Sequence, residues 1–369
     1  YYPSGSPQML PNKLERAIER FGGQILYRHQ VEEILIEQGI AVGVRLANGR
    51  TIASRQVVYN GTVWNLYGKA VKPRHISPKR MKWAHKFVPV HSNLMLYMGV
   101  DAKAFPEGAH PMEIIIEDPQ NVAGHGVTVY LPSLIDPSLS PTGISSVTVS
   151  SVSLEKWPAP SDPQYQSEKY IRKKEQAAQR VLDIVERKFP GFKKHIKFME
   201  IATPTTMERC TLKNWGNIGG PKQSIGQEMM RRPKARTDWK NLYFCGDSTV
   251  MGLGALPATI SGVGAANMAL QDAGINIFKP KKFNREYVNI VPGKALPPLP
   301  KPGEPLVEAS AKRLAWECQH CTESACSKGC PASIDLVGFH RRVESGNMHG
   351  AARAIREMNP LAELCGAIC

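Results

Sequence analysis

The sequence predicts an α/β protein followed by a second, smaller and mainly helical module. Three observations point there. An amphipathic helix leads into a run of short β-like segments near the start. A hydrophobic strand at Asn241–Cys245 ends in Gly246-Asp247 and opens into a glycine-rich apolar segment. After a proline-rich stretch, six of the eight cysteines crowd into the last 52 residues. Strands alternating with helices are the pattern of layered α/β architecture, and a composition break marks a separate module.

At 369 residues the chain is long enough for two or three domains with real cores. Its 42% hydrophobic and 21% charged content excludes a disordered chain. The net charge is +15, without a single-sign tail. The densest basic stretch, Lys72 to Lys86, also holds Met81 and Trp83. Its plainest reading is a solvated helix face; attraction to anionic lipid headgroups comes second, and nucleic acid is not expected as a partner. Clustered cysteines suit a reducing compartment, so the expected location is cytoplasmic, with contact at the inner face of a membrane as a further option. Ser248 to Gln271 runs 24 residues without a charge, but Gly252, Gly254, Pro257, Gly262 and Gly264 make it a loop entering a packed helix rather than a bilayer span.

Residues 11–22 read as a helix, with Leu14, Ala17, Ile18 and Phe21 at helical spacing and Gly22-Gly23 stopping it. Strand-like segments follow at 24–28, 31–37, 41–46, 51–52 and 56–59, with Asn48-Gly49 as a hairpin signal. From about Val71 the character changes, with strands expected at 92–100, 127–131 and 145–152. A long helix is expected over 164–188, ended by Pro190-Gly191. The apolar segment after Asp247 enters a helix reaching about Ala273. Residues 277–309, with prolines at 292, 297, 298, 300, 302 and 305, form a stiff extended connector. Helical stretches near 334–344 and 351–358 complete the terminal module.

Cys318, Cys321, Cys326 and Cys330 stand as C-x2-C-x4-C-x3-C-P, closed by Pro331, and Cys365 and Cys369 follow as C-x3-C. Closely spaced thiolates can wrap one inorganic core, and a run closing on Cys-Pro is the habit of iron–sulfur proteins. Zinc also takes four thiolates, but structural zinc sites usually come as two separated knuckles, and here four cysteines fall within 13 residues. Gly246-Asp247 at a strand end, followed by a helix start, offers amide donors and a positive helix end to an electron-rich ligand. By itself that turn is a common one.

Context adds to it. Segment 3–60, with its helix, Gly-Gly, V-x-x-I run and G-V-x-L-x-N-G, resembles the phytoene desaturase, carotenoid isomerase and retinol saturase group of FAD-dependent oxidoreductases. Segment 241–267 (NLYFCGDSTVMGLGALPATISGVGAAN) is similar to the flavin-closing motif of that group. The resemblance covers about 1–276. It implies an FAD-binding Rossmann-like (GR2-type) domain with an inserted α+β substrate domain. It further implies that Val31 brackets the adenine through its backbone and that Asp247, beside Gly246, bonds the ribityl–diphosphate region. Amides near Leu256, Pro257 and Ala258 would face the flavin pyrimidine edge, with Ser261 and Gly262 on the helix beneath. The chain departs from the group at Met251, where the group usually has proline, and in lacking the strand–GxGxxG–helix that holds the diphosphate. The first half of the flavin domain is therefore expected to precede Tyr1.

Segment 316–369 is similar to the N-terminal iron–sulfur domain of the glutamate synthase small subunit and of dihydropyrimidine dehydrogenase, in the four-cysteine run, Ile334-Asp335, Gly346, Asn359-Pro360 and C-G-x-x-C. The resemblance implies a small, mostly α-helical, ferredoxin-like domain with two [4Fe–4S] clusters. Cys318, Cys321 and Cys326 would bind one cluster and Cys330 with Cys369 the other, while Cys365 need not be a ligand. Further ligands and an FAD/NAD(P)H domain are expected beyond Cys369.

The expected domains are 1–70 (flavin, first segment), 71–236 (substrate), 237–276 (flavin, closing segment), 277–309 (linker) and 310–369 (iron–sulfur). Within 71–236, Trp83, His85, Met95, Tyr97, Trp215, Met229 and Met230 are pocket candidates, each more simply read as ordinary packing. The expected activity is FAD-dependent chemistry on carbon–carbon bonds of an apolar, polyene- or isoprenoid-like substrate. Its electrons would pass through the clusters from a redox partner, with NAD(P)H as their source. The rivals are an amine-oxidising flavoenzyme and a non-catalytic electron-transfer subunit.

Overall fold

A computed structural model describes residues 2–3, 5–120, 126–249, 252–280, 299–362 and 365–366. The chain divides into two units. One comprises residues 28–131 and 146–288; the other comprises 1–27, 132–145 and 289–369.

In the first unit, β1 (Val31–Glu37), β2 (Ile40–Leu46) and β3 (Thr51–Ala53) form an antiparallel three-stranded sheet. Gln38 and Gly39 both have positive φ, the backbone of a tight two-residue hairpin turn, and Asn48-Gly49 turns the chain between β2 and β3 as expected. β4 (Val57–Tyr59) leads to α2 (Val63–Leu66) and α3 (Pro78–His85). Ser77 caps α3 and Pro78 opens it, so the basic stretch is helical over part of its length. Trp64, Tyr67, Phe87, Trp239 and Phe244 pack in the core below.

The inserted region holds β5 (Ser92–Asp101), β6 (Met112–Ile116), β7 (Gly126–Tyr130), β8 (Ile144–Ser153), α4 (Glu168–Lys188) and β9 (Ile196–Ala202). The strands make one sheet in the order β6-β7-β8-β5-β9. Strict alternation sends Leu94, Leu96, Met98, Val127, Val129, Val147 and Val149 to one face, where Ala177, Ala178, Val181, Leu182 and Val185 of α4 cover them. The other face stays open and carries Tyr97, Met112, Ile114, Ile116, Tyr130 and Phe198. α5 (Pro204–Thr211) follows β9; β10 (Leu242–Phe244) then pairs in parallel with β4, and α6 (Ala255–Asp272) closes the unit.

In the second unit, α7 (Glu308–Ala315), α8 (Ala325–Gly329), α9 (Leu336–Glu344) and α10 (Met348–Arg356) surround a small core of Ala315, Val343 and Ala351, helped by Phe339 and Met348. The helix expected at the start of the chain, α1 (Met9–Arg20), belongs here and not with the sheets. Its polar face points inward. Glu15 takes Arg341 and Arg342, Glu19 takes Arg342, Arg353 and Asn347, and Lys13 donates to the carbonyl of Ser345. Leu10, Leu14, Ile18 and Phe21 are left exposed.

The segment expected as a strand at 24–28 is not one. It follows the Gly22-Gly23 stop, and Arg28 takes a left-handed φ of 60° that breaks the extended backbone. Strands β6 and β9 and helix α5 are additions that periodicity alone did not mark. The central part of the proline-rich connector, 281–298, lies outside the described residues. Among the described residues no helix is long and apolar enough to cross a membrane.

Candidate functional site

The site at the end of β10 is built from fully buried backbone. Leu242, Tyr243 and Phe244 are all buried, and β10 hands over to the turn through a bond from the Cys245 N–H to the Tyr59 carbonyl. Asp272 accepts from the Tyr243 hydroxyl, and burial with that bond pushes the phenol up to about 12. Gly246 adopts φ 99°, and a Cβ there would stand 3.1 Å from the Asn60 carbonyl oxygen, so the turn needs glycine on both counts. The Gly246 N–H donates to Ser261 Oγ at 3.0 Å, and Thr249 Oγ1 donates to the Gly246 carbonyl at 2.7 Å. Ser261 lies on the helix that follows the turn and accepts from the turn's own amide.

The Asp247 carboxylate is nearly buried and pairs with Lys213, which follows α5. The peptide after Asp247 is pressed against Gly220: a Cβ on Gly220, at φ 68°, would lie 2.7 Å from the Asp247 carbonyl oxygen. Arg232, 2% exposed, donates to the carbonyls of Pro221 (2.6 Å), Asp247 (2.5 Å) and Thr249 (2.7 Å). Sequence reading missed both Lys213 and Arg232, because each sits in a basic, irregular stretch where nothing marks a side chain as buried.

α6 starts at Gly254 with φ 112° and no side-chain cap, leaving its first-turn amides to another partner. Of the three positions expected to supply amides, Ala258 already donates to the Gly254 carbonyl and Pro257 has no N–H, so Leu256 is the remaining donor. Nothing would meet a Cβ on Gly262, so sterics do not require glycine there. Val31 begins β1, half exposed, opposite Leu46. Met251 lies outside the described residues. The side chains and close-packed glycine backbone at the turn fit a flavin: a carboxylate for hydroxyls, a cation beside it and an uncapped helix start for an electron-rich edge.

The pocket candidates do not converge. Trp83 packs against Tyr67 and Phe87 with the Arg80 guanidinium 3.8 Å over its ring, and His85 Nε2 lies 3.1 Å from the Tyr67 carbonyl oxygen. Trp83 and Met230 do line one recess of about 340 Å³ with Arg80, Arg231 and Lys234. Tyr97 faces the open side of the sheet with Met95 beside it, while Trp215, exposed, sits edge-on to Trp64 at 5.3 Å.

In the helical module the described cysteines, including Cys210 and Cys245 elsewhere, are free thiols. Cys318 follows α7, Cys326 lies on α8 and Cys330 caps it, while Cys321 and Cys326 are exposed. Burial pushes the Cys318 thiol up, and the nearby charges of Cys326, Cys321 and Glu344 add to that, so these thiols share one locality. His320, at φ 50°, turns the chain between Cys318 and Cys321, with Nε2 3.2 Å from Glu344 Oε2. Among the described residues no three Cys, His, Asp or Glu side chains already stand in a metal-holding group, so a cluster would have to draw the thiolates together. Cys365 is half-buried, and Cys369 lies outside the described residues. A free-thiol run on a loop and a short helix fits an iron–sulfur core, whose binding demands thiolates.

The Gly246-Asp247 turn on a layered α/β scaffold and the multi-thiol helical module are thus the two candidate cofactor sites. The family described as flavin containing amine oxidoreductase matches residues 2–270, and the chain belongs to it. Residues 303–369 match dihydropyrimidine dehydrogenase domain II, 4Fe-4S cluster. The chain is 30% identical over 280 residues to a prolycopene isomerase of an Oncidium hybrid cultivar, covering 74% of this chain and 47% of that one. It is 25% identical over 284 residues to the lycopene-forming phytoene desaturase of Pseudescherichia vulneris, covering 74% and 56%. A solved oxidoreductase from Methanosarcina mazei is 17% identical with a TM-score of 0.49, covering 73% of this chain and 55% of that one. The chain spans about half the length of the curated relatives it matches. It thus joins a flavin containing amine oxidoreductase segment to a 4Fe-4S cluster domain segment.

Proposed function

We propose that this chain takes part in FAD-dependent desaturation, saturation or isomerisation of a carbon–carbon double bond in a polyene- or isoprenoid-like substrate. Its [4Fe–4S] module would relay electrons from NAD(P)H bound by a further domain. The observation that carries the reading is the presence, in one polypeptide, of the Gly246-Asp247 turn and the Cys318–Cys330 run. Bound FAD supplies hydride chemistry as a two-electron unit and can also pass single electrons, which is what a cluster carries.

The chain's residues have the remaining work. Asp247 and the Leu256 amide hold and orient the flavin, and Lys213 places a cation beside the carboxylate. Cys318, Cys321, Cys326 and Cys330 hold iron, with Cys369 and Cys365 as further thiols. Tyr97, Ile114, Tyr130 and Phe198 on the open sheet face offer an apolar wall to a long hydrocarbon. Two relatives of the chain, a prolycopene isomerase and a phytoene desaturase, support the same substrate class. Such substrates partition into lipid, and the basic stretch Lys72–Lys86 is the surface we assign to a membrane's anionic headgroups.

The test is anaerobic reconstitution of the intact protein that carries this chain with FAD, iron and sulfide, followed by visible spectroscopy, iron and sulfide assay, and turnover of a polyene. Flavin and cluster absorption together, with cluster reduction followed by flavin reduction, is the expected result. Cluster absorption without flavin binding would leave only the electron-transfer role, and zinc in place of iron would overturn the relay.

A further inference from the structure

Resting on the flavin reading of the Gly246–Thr249 turn, we propose that Arg232 is the positioning residue of that site. Its three-pronged grip on main-chain carbonyls would keep the turn in its ligand-binding shape. Four observations converge on it.

Arg232 is 2% exposed, and burial weakens its guanidinium's hold on its proton, offset in part by the neighbouring charge of Asp247. Its hydrogen-bond partners are the carbonyls of Pro221, Asp247 and Thr249, and none of them is a carboxylate. The carboxylate of Asp247 is instead taken by Lys213. A buried arginine without a bonded carboxylate is costly unless its donors are filled, and here Nε, Nη1 and Nη2 each reach a separate carbonyl. A rigid planar fork can satisfy that geometry and a flexible ammonium cannot.

The carbonyls it gathers are informative. Two belong to the turn itself, and the third, Pro221, belongs to the segment that leads back to the open sheet. There the Val90 N–H donates to the Gly220 carbonyl, and the Lys222 N–H to the Val88 carbonyl, just before β5. The Asp247–Ser248 peptide is thus held by its oxygen from Arg232 and pressed on by Gly220. Arg232 touches no reacting atom in this account. It acts through the peptide planes that carry Asp247, and it keys the substrate sheet's lead-in to the flavin turn.

The test uses the full chain and three variants: Arg232→Met, Arg232→Lys and, as a charge control, Arg231→Ala, whose guanidinium is exposed and pairs with Glu228. Two readouts are taken: amide hydrogen exchange of flavin-free protein over residues 217–222 and 245–249, and the FAD dissociation constant after anaerobic reconstitution. Losing even one charge-assisted bond in the grip predicts about 10–100-fold faster exchange in those two segments, and FAD affinity lower by a similar factor, for Arg232→Met. Arg232→Lys should fall between Arg232→Met and the unmodified chain in both readouts, and Arg231→Ala should match the unmodified chain. Wild-type exchange rates in Arg232→Met, or an Arg232→Lys indistinguishable from the unmodified chain, would overturn the proposal. Should Arg232→Met not fold, the Lys variant decides alone. FAD binding is read on the intact protein that carries this chain; if that protein binds no FAD the flavin reading fails, while the exchange measurement still judges the grip.

Discussion

Helices α1 and α4 are both amphipathic, yet they settle on opposite faces. α4 does what its pattern predicts, placing Ala177, Val181, Leu182 and Val185 on the sheet and its Lys, Arg and Glu residues in water. α1 turns Asn12, Glu15 and Glu19 inward and leaves Leu10, Leu14, Ile18 and Phe21 outside. The difference lies in what each helix meets. α4 meets a sheet face of aliphatic side chains, whereas α1 meets Arg341, Arg342 and Arg353, whose charges need carboxylates once water is excluded. Periodicity locates a helix and its two faces; the neighbour decides which face is inside.

The largest test of that contrast is Glu19→Ala, which removes the buried carboxylate that Arg342, Arg353 and Asn347 share and leaves Arg342 with Glu15 alone. A loss of about 3–5 kcal/mol, read by denaturant unfolding of the module, is expected. The matching test on the other helix is Leu182→Ala, which opens a cavity between α4 and the sheet and should cost about 2–4 kcal/mol.

Acid gives a third. Burial opposes the charge on Glu19, but the bonds from Arg342 and Asn347 outweigh it and hold the carboxyl below its ordinary value. That stabilisation is present above the unfolded-state value of about 4.3 and fades as pH falls through the lower folded-state value. Amide exchange in α1 should therefore accelerate below about pH 4, while α4, seated on aliphatic side chains, follows later.

The smallest effect is the sharpest. Ile18→Lys on the exposed face of α1 should change stability by no more than about 0.5 kcal/mol. A loss of several kcal/mol would mean that this apolar face is covered and that the inward packing of Glu19 is not the resting arrangement.

Much of the architecture could be read from residue order. The helix at the chain start, the Asn48-Gly49 hairpin, the long helix after Ser167 and the strand into Gly246-Asp247 all follow from local signals. The Cys318–Cys330 run was readable because thiolate spacing is local as well. Partnership across the chain was not. Nothing in the sequence around Arg232 announces that three distant carbonyls await it, and nothing near Lys213 names Asp247. β6 and β9 were hidden for a related reason: each exposes apolar residues, Ile114 and Ile116 in one and Phe198 in the other, on a face that alternation assigns to solvent.

The segment that brings Lys213 to Asp247 is unusually well pinned. β9 ends at Ala202; Thr203 caps α5 in a reciprocal box with Thr206, Pro204 starts it, and the Tyr170 hydroxyl and the Pro158 carbonyl hold Thr203 and Thr205. Leu212, at φ 57°, ends the helix one residue before the lysine. With so little slack, the ammonium inherits the register of β9 like the tip of a ruler clamped at its base. A single-residue insertion or deletion within Ile196–Ala202 would surface as a misplaced charge beside the Gly246-Asp247 turn, well away from the strand in which it occurred.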